Sequence, residues 1–450
     1  MKTRTVLIKN GTIVTANEQY PGNVFIKGET IQAILNRGDE PEADLVVDAE
    51  GRFIIPGGVD EHTHMMDPGY TEREEFETGT AAAAYGGITT VIDHHRTVPA
   101  VYGIDELNQK IEYLRNKAVV DFALMGGISP DNIDALEAMW NRGITSFKTF
   151  TCNLHGVRAM FPGVLYDMFT EVKRFGGRVL IHCEDDNVCE MNKQRLLAEG
   201  RTDPACQIEW RSPLAEELAV DAVIAVARET GARTTVAHVS QAKLLQKIHE
   251  AYESGVDIHA ESCPHYFYLT DKDVVKLGPW GQFTPPPRSE ENLEEMWRLF
   301  NLGYVDVIGS DHCPYPYEVK AVGEKNFWDA PNGIPGVETS MRIFLNAVNE
   351  GKTSLPKVVK VMCEMPARLN GLYPKKGALL VGSDADVVII DMNHTETIRN
   401  ENVVSKCKWS PYQGRSLKGA PETVFVRGNL VVDHYQVVAK PGNGKFTERM

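Results

Sequence analysis

The chain carries two kinds of hydrophobic pattern. Through its middle, short runs of Val, Ile, Ala and Phe alternate with longer stretches whose apolar residues recur at helical spacing. Eight of these runs read as strands: GGVDEHTH, ITTVIDHH, VDFALMGG, ITSFKTFT, RVLIHCE, TTVAHVS, VDIHAES and VDVIGSDH. Between them, TEREEFETGTAAAAYGG and PLAEELAVDAVIAVARETG read as helices, the second ended by a Gly stop. Strands alternating with helices predict repeated βα units, and eight units predict an α/β protein built as a closed, TIM-like (β/α)8 barrel. An open doubly wound sheet is the alternative, but no GxGxxG or GxxxxGK phosphate loop accompanies it.

Both ends are different. TVLIKNGTIVT, GNVFIKGETIQAIL and DLVVDAEG open the chain, with Asn10-Gly11 and Gly28 where hairpins should turn. GALLVGSDADVVIID, ETVFVRGNLVVDH and YQVVAKPGNGKF close it in the same style. The middle is therefore flanked by two β-rich segments.

Composition narrows the function. With 450 residues, 42% hydrophobic and 24% charged, the chain is expected to be globular, and 47 basic against 62 acidic residues leave a charge of −15. That balance disfavours nucleic acid and anionic membranes and points to small-molecule partners. The apolar stretch in MKTRTVLIKNGTIVTANEQ is too short for a signal peptide, and no run of about twenty apolar residues follows, so a cytoplasmic protein is expected. The eight cysteines include no CxxC pair; Cys183, Cys263 and Cys313 read as small buried hydrophobes at strand ends.

The candidate chemistry begins at VDEHTHMMDPG. On a strand, His62 and His64 point the same way and Thr63 the other. Alone, such a pair reads as two half-exposed histidines. However, Lys148 lies in the fourth predicted strand, while His182, His238 and Asp311 end the fifth, sixth and eighth. In a parallel barrel these ends meet at one mouth, where six polar side chains would be costly to desolvate without a shared partner. A metal centre supplies one, and four imidazoles with a carboxylate suit zinc or a similar divalent ion. An ammonium cannot ligate, so Lys148 is either paired to a carboxylate or carbamylated into a group that bridges two metals.

Taken together, His62-x-His64, Lys148, His182, His238 and Asp311 resemble the binuclear site of the amidohydrolase superfamily, specifically its cyclic amidohydrolases: hydantoinases, dihydropyrimidinases, allantoinases and dihydroorotases. The resemblance runs in order through IIPGGVDEHTH, SFKTF, VLIHCE, VAHVS, ESCPHY, TPPPR, GSDHCP, NGIPGVET and KGALLVGSDADVVIID. It implies a small β-sandwich built from residues 1–55 and 375–450 beside a barrel at 56–374. It further implies two divalent ions, zinc being the expected metal, with His62, His64 and Asp311 on one, His182 and His238 on the other, and carbamylated Lys148 between them. A water activated by the ions would attack the ring carbonyl, with Asp311 as general base and then acid, opening the ring to an N-carbamoyl or ureido acid. Relatives are commonly homotetramers.

Substrate signals diverge along the chain. Dihydroorotases carry an Arg two positions after the second histidine, where this chain has Met66; Arg96 and Arg288 are the possible substitutes. Hydantoinases carry an oxyanion-donating Tyr five residues after the lysine, where Asn153 stands, with His155 nearby. Thr284 and Asn332 match positions that read the amide edge of the ring. DPGYTEREEFETGTAAAAYGGITTVID reads more like allantoinases, and GPWGQFTPPPR through NGLYPKKGALLVGSDAD more like hydantoinases. His94 and His95 are expected as substrate contacts or satisfied rim residues, His265 and His312 as supporting groups, and Met160 and Phe161 as a wall for an exocyclic group. A non-catalytic scaffold or a single-metal deaminase of the same superfamily are the other readings.

Overall fold

In the computed structural model, which describes residues 3–450, the eight predicted strands are present. They run Gly58–Thr63, Ile88–Asp93, Asp121–Gly127, Ser146–Phe150, Arg178–His182, Arg233–Val236, Ile258–Ser262 and Val307–Ile308, parallel and adjacent in chain order. Closure comes just past the eighth strand, where Thr63 bridges His312 and the His64 N–H donates to the His312 carbonyl at 2.7 Å. The fold is thus a (β/α)8 barrel and not an open sheet. Because strand order equals chain order, every strand's carboxyl end lies on one rim.

Helices cover the outside. Pro213–Thr230 shows why one forms: Pro stands in its first turn, Gly231 ends it at φ 67°, and Ala215, Ala219, Val220, Val223, Ile224 and Ala227 are buried at helical spacing. Among the described residues, no helix is long and apolar enough to cross a membrane.

The two ends meet in a single nine-stranded sheet. Phe53–Pro56 joins them, lying parallel to Thr5–Val14 on one side and antiparallel to Val387–Thr397 on the other. This sheet encloses its own core, in which Val6, Ile8, Val24 and Ile26 from the beginning of the chain pack with Val387, Ile389 and Phe425 from its end.

The last residues return to the barrel: Phe446 bridges Phe122, the Phe122 N–H donates to the Lys445 carbonyl at 3.0 Å, and the Thr447 N–H donates to the Phe122 carbonyl at 2.7 Å. The third strand meets the fourth only from Met125 onward, so the tail satisfies backbone groups that would otherwise be exposed at its start. At the same place Asp121 binds Lys376 and Arg427, and Lys376 also reaches Asp384 and Asp386, each at 2.9 Å. This buried charge cluster ties the barrel to the flanking sheet.

Candidate metal centre

One small cavity at the carboxyl-end rim is lined by His62, His64, Lys148, His182, His238 and Asp311 together, and also by Thr284 and Asn332. The strand pleat puts His62 and His64 on the same side, their ring centroids 5.4 Å apart, while Thr63 turns away to donate to the Ile92 carbonyl. Both Nε2 atoms converge on Asp311 Oδ1, at 3.5 Å from His62 and 3.3 Å from His64. On the far side, His182 Nδ1 lies 2.9 Å from His238 Nε2. Lys148 Nζ stands between, 3.3 Å from His62 Nε2. Lys148 forms no ion pair with a carboxylate among the described residues, so the paired-ammonium alternative has no partner in the fold.

At His62, His64 and His238 the electrostatics favour cation binding over protonation. Burial, then Lys148, pushes His62 down to about 3, and burial holds His64 and His238 well below the ordinary imidazole range, so their nitrogens keep free lone pairs. Lys148 is likewise lowered by burial. His182 goes the other way: burial would lower it, but Cys152 and Glu184 beside it raise it to about 9. The donor atoms of His62, His64 and Asp311 lie within 4.8 Å of one another, a spacing and donor set that fit a divalent ion. Cys152, His182 and Glu184 form a second such group. Two of the residues at the rim, His238 at φ 41° and Asp311 at φ 45°, hold left-handed backbone conformations.

Several supporting residues carried no signal in the sequence. Glu261, wholly buried in the seventh strand, lies 3.0 Å from His62 Nδ1 and accepts the His238 N–H at 3.1 Å. Glu184 Oε2 accepts from Arg211 at 3.2 Å and Thr284 Oγ1 at 2.7 Å and lies 2.8 Å from His182 Nε2. Glu184 follows His182 by two residues, just past the end of the fifth strand.

Other expected site residues fall elsewhere. Asn153 is exposed and outside the cavity; its main-chain N–H and Nδ2 donate to Asp186 at 2.7 and 2.6 Å, and its Oδ1 accepts from Ala159. Its neighbours Leu154 and His155 line the cavity instead. Met160 and Phe161 wall a separate cavity of about 630 Å³, with Phe161 51% exposed. His94 and His95 are buried behind the centre: His94 stacks on His64 at 4.2 Å and on His95 at 4.4 Å. His312 is supporting, placed between Glu74 and the Gly336 N–H, and His265 packs edge-on against Tyr266 and Phe283. Met66 is buried at φ 58°.

A closed parallel barrel with four imidazoles, a lysine and a carboxylate at its carboxyl-end mouth has the architecture of a barrel hydrolase. Residues 53–431 match the model of the amidohydrolase family, and the chain belongs to that family. It is 35% identical to the L-hydantoinase of Paenarthrobacter aurescens, over 99% of this chain and 98% of that one. It is 34% identical to the allantoinase of Salmonella newport (strain SL254), over 98% of each chain. The solved L-hydantoinase (dihydropyrimidinase) from Arthrobacter aurescens superposes with a TM-score of 0.96 at 34% identity, covering 99% of this chain and 100% of that one.

Proposed function

We propose that this protein hydrolyses a cyclic amide of the hydantoin or dihydropyrimidine type, opening the ring to an N-carbamoyl amino acid, with two divalent ions, zinc by preference, at the cavity. The observation that carries this reading is the convergence of all six polar side chains on one cavity in a chain similar to hydantoinases over nearly its whole length. His62, His64 and Asp311 would hold one ion, His182 and His238 the other, and Lys148, carbamylated, would serve both. When bound, such ions lower the pKa of water and polarise a carbonyl.

The chain's own groups supply the rest. Asp311, 17% exposed at its side chain, is the ligand open enough to take a proton from the attacking water and return it to the leaving ring nitrogen. His155 takes the donor role expected of Asn153: it lines the cavity, and burial followed by Arg96 and Arg73 keeps its ring neutral, with one N–H to offer a developing oxyanion. Asn332 Oδ1 is buried and meets no donor among the described residues, which suits it to a ring N–H. The Thr284 hydroxyl is committed to Glu184, so its main-chain groups are the ones left for the ring.

Hydrolysis of allantoin to allantoate is the second reading, favoured by the near-equal similarity to the Salmonella allantoinase. Dihydroorotate ranks below both, because Met66 stands where dihydroorotases carry the Arg that clamps a carboxylate held directly on the ring. A scaffold without catalysis is disfavoured by the presence of all six side chains. The deciding experiment follows ring opening by zinc-, manganese- or cobalt-loaded protein on hydantoin, 5-substituted hydantoins, dihydrouracil, allantoin and dihydroorotate. Turnover of hydantoins or dihydrouracil above allantoin is expected; release of ammonia without ring opening would favour a deaminase.

A further inference from the structure

Two arginines near the candidate centre have no acid partner among the described residues: one packs on a residue of the cavity wall, the other adjoins the histidines behind it. Arg73 is 7% exposed; its Nε donates to the Pro314 carbonyl at 3.0 Å, its Nη2 to Cys313 Sγ at 3.2 Å, and its guanidinium lies 3.5 Å from the centre of the Tyr315 ring. Cys313 in turn lines the cavity. Arg96 follows the His94 ring that stacks on His64, and its main-chain N–H donates to His94 Nδ1 at 3.2 Å. Arg96 is only partly buried, but its Nη1 is enclosed and meets no acceptor among the described residues. Neither arginine forms an ion pair among the described residues.

The other buried arginines behave differently. Arg211 is paired with Glu184, Arg288 with Glu216, Arg342 with Glu396, Arg427 with Asp121, and Arg178 with Asp257. Arg288, the other substitute for a carboxylate clamp, is also bound to Ser240 Oγ and the Arg211 carbonyl, so it has little left to offer a ligand. Burying the Arg73 guanidinium without a counter-charge is costly, and an anionic group on a ligand would supply the missing charge. The field of both guanidiniums reaches the cavity, since after burial they are the next causes that depress His155 on its wall.

We propose that Arg96, backed by Arg73, binds an anionic group on the exocyclic arm of the substrate, so that the preferred substrate is a cyclic amide carrying a carboxylate side chain. This deepens the ring-opening reading and rests on it. Arg96 has a buried N–H donor to give, and a guanidinium meets a carboxylate through two parallel hydrogen bonds. Arg73, held by Pro314, Cys313 and Tyr315, is the fixed neighbour that raises the local positive potential.

The test compares two hydantoins on metal-loaded full-length protein, one with a 2-carboxyethyl group at C5 and one with the uncharged 2-carbamoylethyl group of the same length. The wild type should prefer the acid by about ten-fold or more in kcat/KM, mainly through KM. Arg96→Gln should bring that ratio close to one, and Arg96→Lys should keep part of it. Calorimetric binding of N-carbamoyl glutamate against N-carbamoyl glutamine gives the same comparison without turnover. Equal treatment of acid and amide by the wild type, or a preference that survives Arg96→Gln, would overturn the proposal. Preferential binding of the diacid with no ring opened would sink the hydrolytic reading and leave the anion site standing. Should Arg96→Gln fail to fold, the wild-type ratio and Arg96→Lys decide.

Discussion

His62 Nδ1 lies 3.0 Å from Oε2 and 3.2 Å from Oε1 of Glu261, a carboxylate 199 residues further along the chain. With Nδ1–H donated to this carboxylate, the Nε2 lone pair would face Asp311 and Lys148. Glu261 also accepts the His238 N–H, so one buried acid positions a residue from each half of the centre. Glu261→Ala is therefore expected to weaken metal affinity by roughly 10–100-fold, measured by chelator competition, with the barrel still folded. Unchanged affinity would mean that His62 needs no such orientation.

Lys148 forms no ion pair with a carboxylate among the described residues, and burial, against the charges of Glu261 and Asp311, lowers its pKa toward the neutral amine that reacts with carbon dioxide. Lys148→Ala should lower kcat by roughly a hundred- to a thousand-fold and reduce bound metal, with partial recovery on adding a short carboxylic acid. Wild-type protein stripped of carbon dioxide should gain activity with bicarbonate. Full metal content and turnover in the variant would remove Lys148 from the bridge.

Asn153 and His155 separate two oxyanion donors. Asn153→Ala should change kcat by no more than about three-fold, because its polar atoms hold the loop to Asp186 and Ala159 and do not face the cavity. His155→Phe should cost roughly a hundred-fold or more in kcat. The opposite ranking in steady-state kinetics would return Asn153 to the reaction.

Asp121 anchors the interface between barrel and flanking sheet through Lys376 and Arg427, all three buried. Removing its carboxylate takes an acid from two buried cations, leaving Lys376 with Asp384 and Asp386 and Arg427 with Glu29 at 3.6 Å. Asp121→Ala is expected to destabilise the fold by about 3–5 kcal/mol, read as a lower Tm or denaturant midpoint. A change under about 1 kcal/mol would show that Asp384 and Asp386 take over the charge.

His259 supplies a pH signature away from the metal centre. Burial would lower its pKa, but Asp257, at 3.5 Å, and Asp306, at 3.3 Å, raise it above the usual 6.5. Asp257 is correspondingly lowered, first by its bond to His259. A raised folded pKa means the stabilisation is complete below the unfolded value near 6.5 and is lost as pH rises through the higher folded value. His259→Gln should accordingly lose roughly 1 kcal/mol at pH 6 and progressively less in alkaline buffer. A Tm difference independent of pH would rule out the charged pair.

The barrel and its six rim residues were legible in the sequence because their signals are local. Apolar runs of fixed length mark strands, a period of two puts His62 and His64 on one face, and polar residues at run ends mark the rim. Since the strands assemble in chain order, those local signals add up to a site without knowledge of long-range contacts. Tertiary structure alone decided the rest. Glu261 sits in a strand where a buried acid looks no different from a solvated one until His62 is beside it. Asn153 and His155 lie in a loop without periodicity, so only the folded backbone decides which of them turns inward. The return of the tail to Phe122, and the two arginines left without acids, depend on which partners the fold brings within reach, and a sequence lists charges without pairing them.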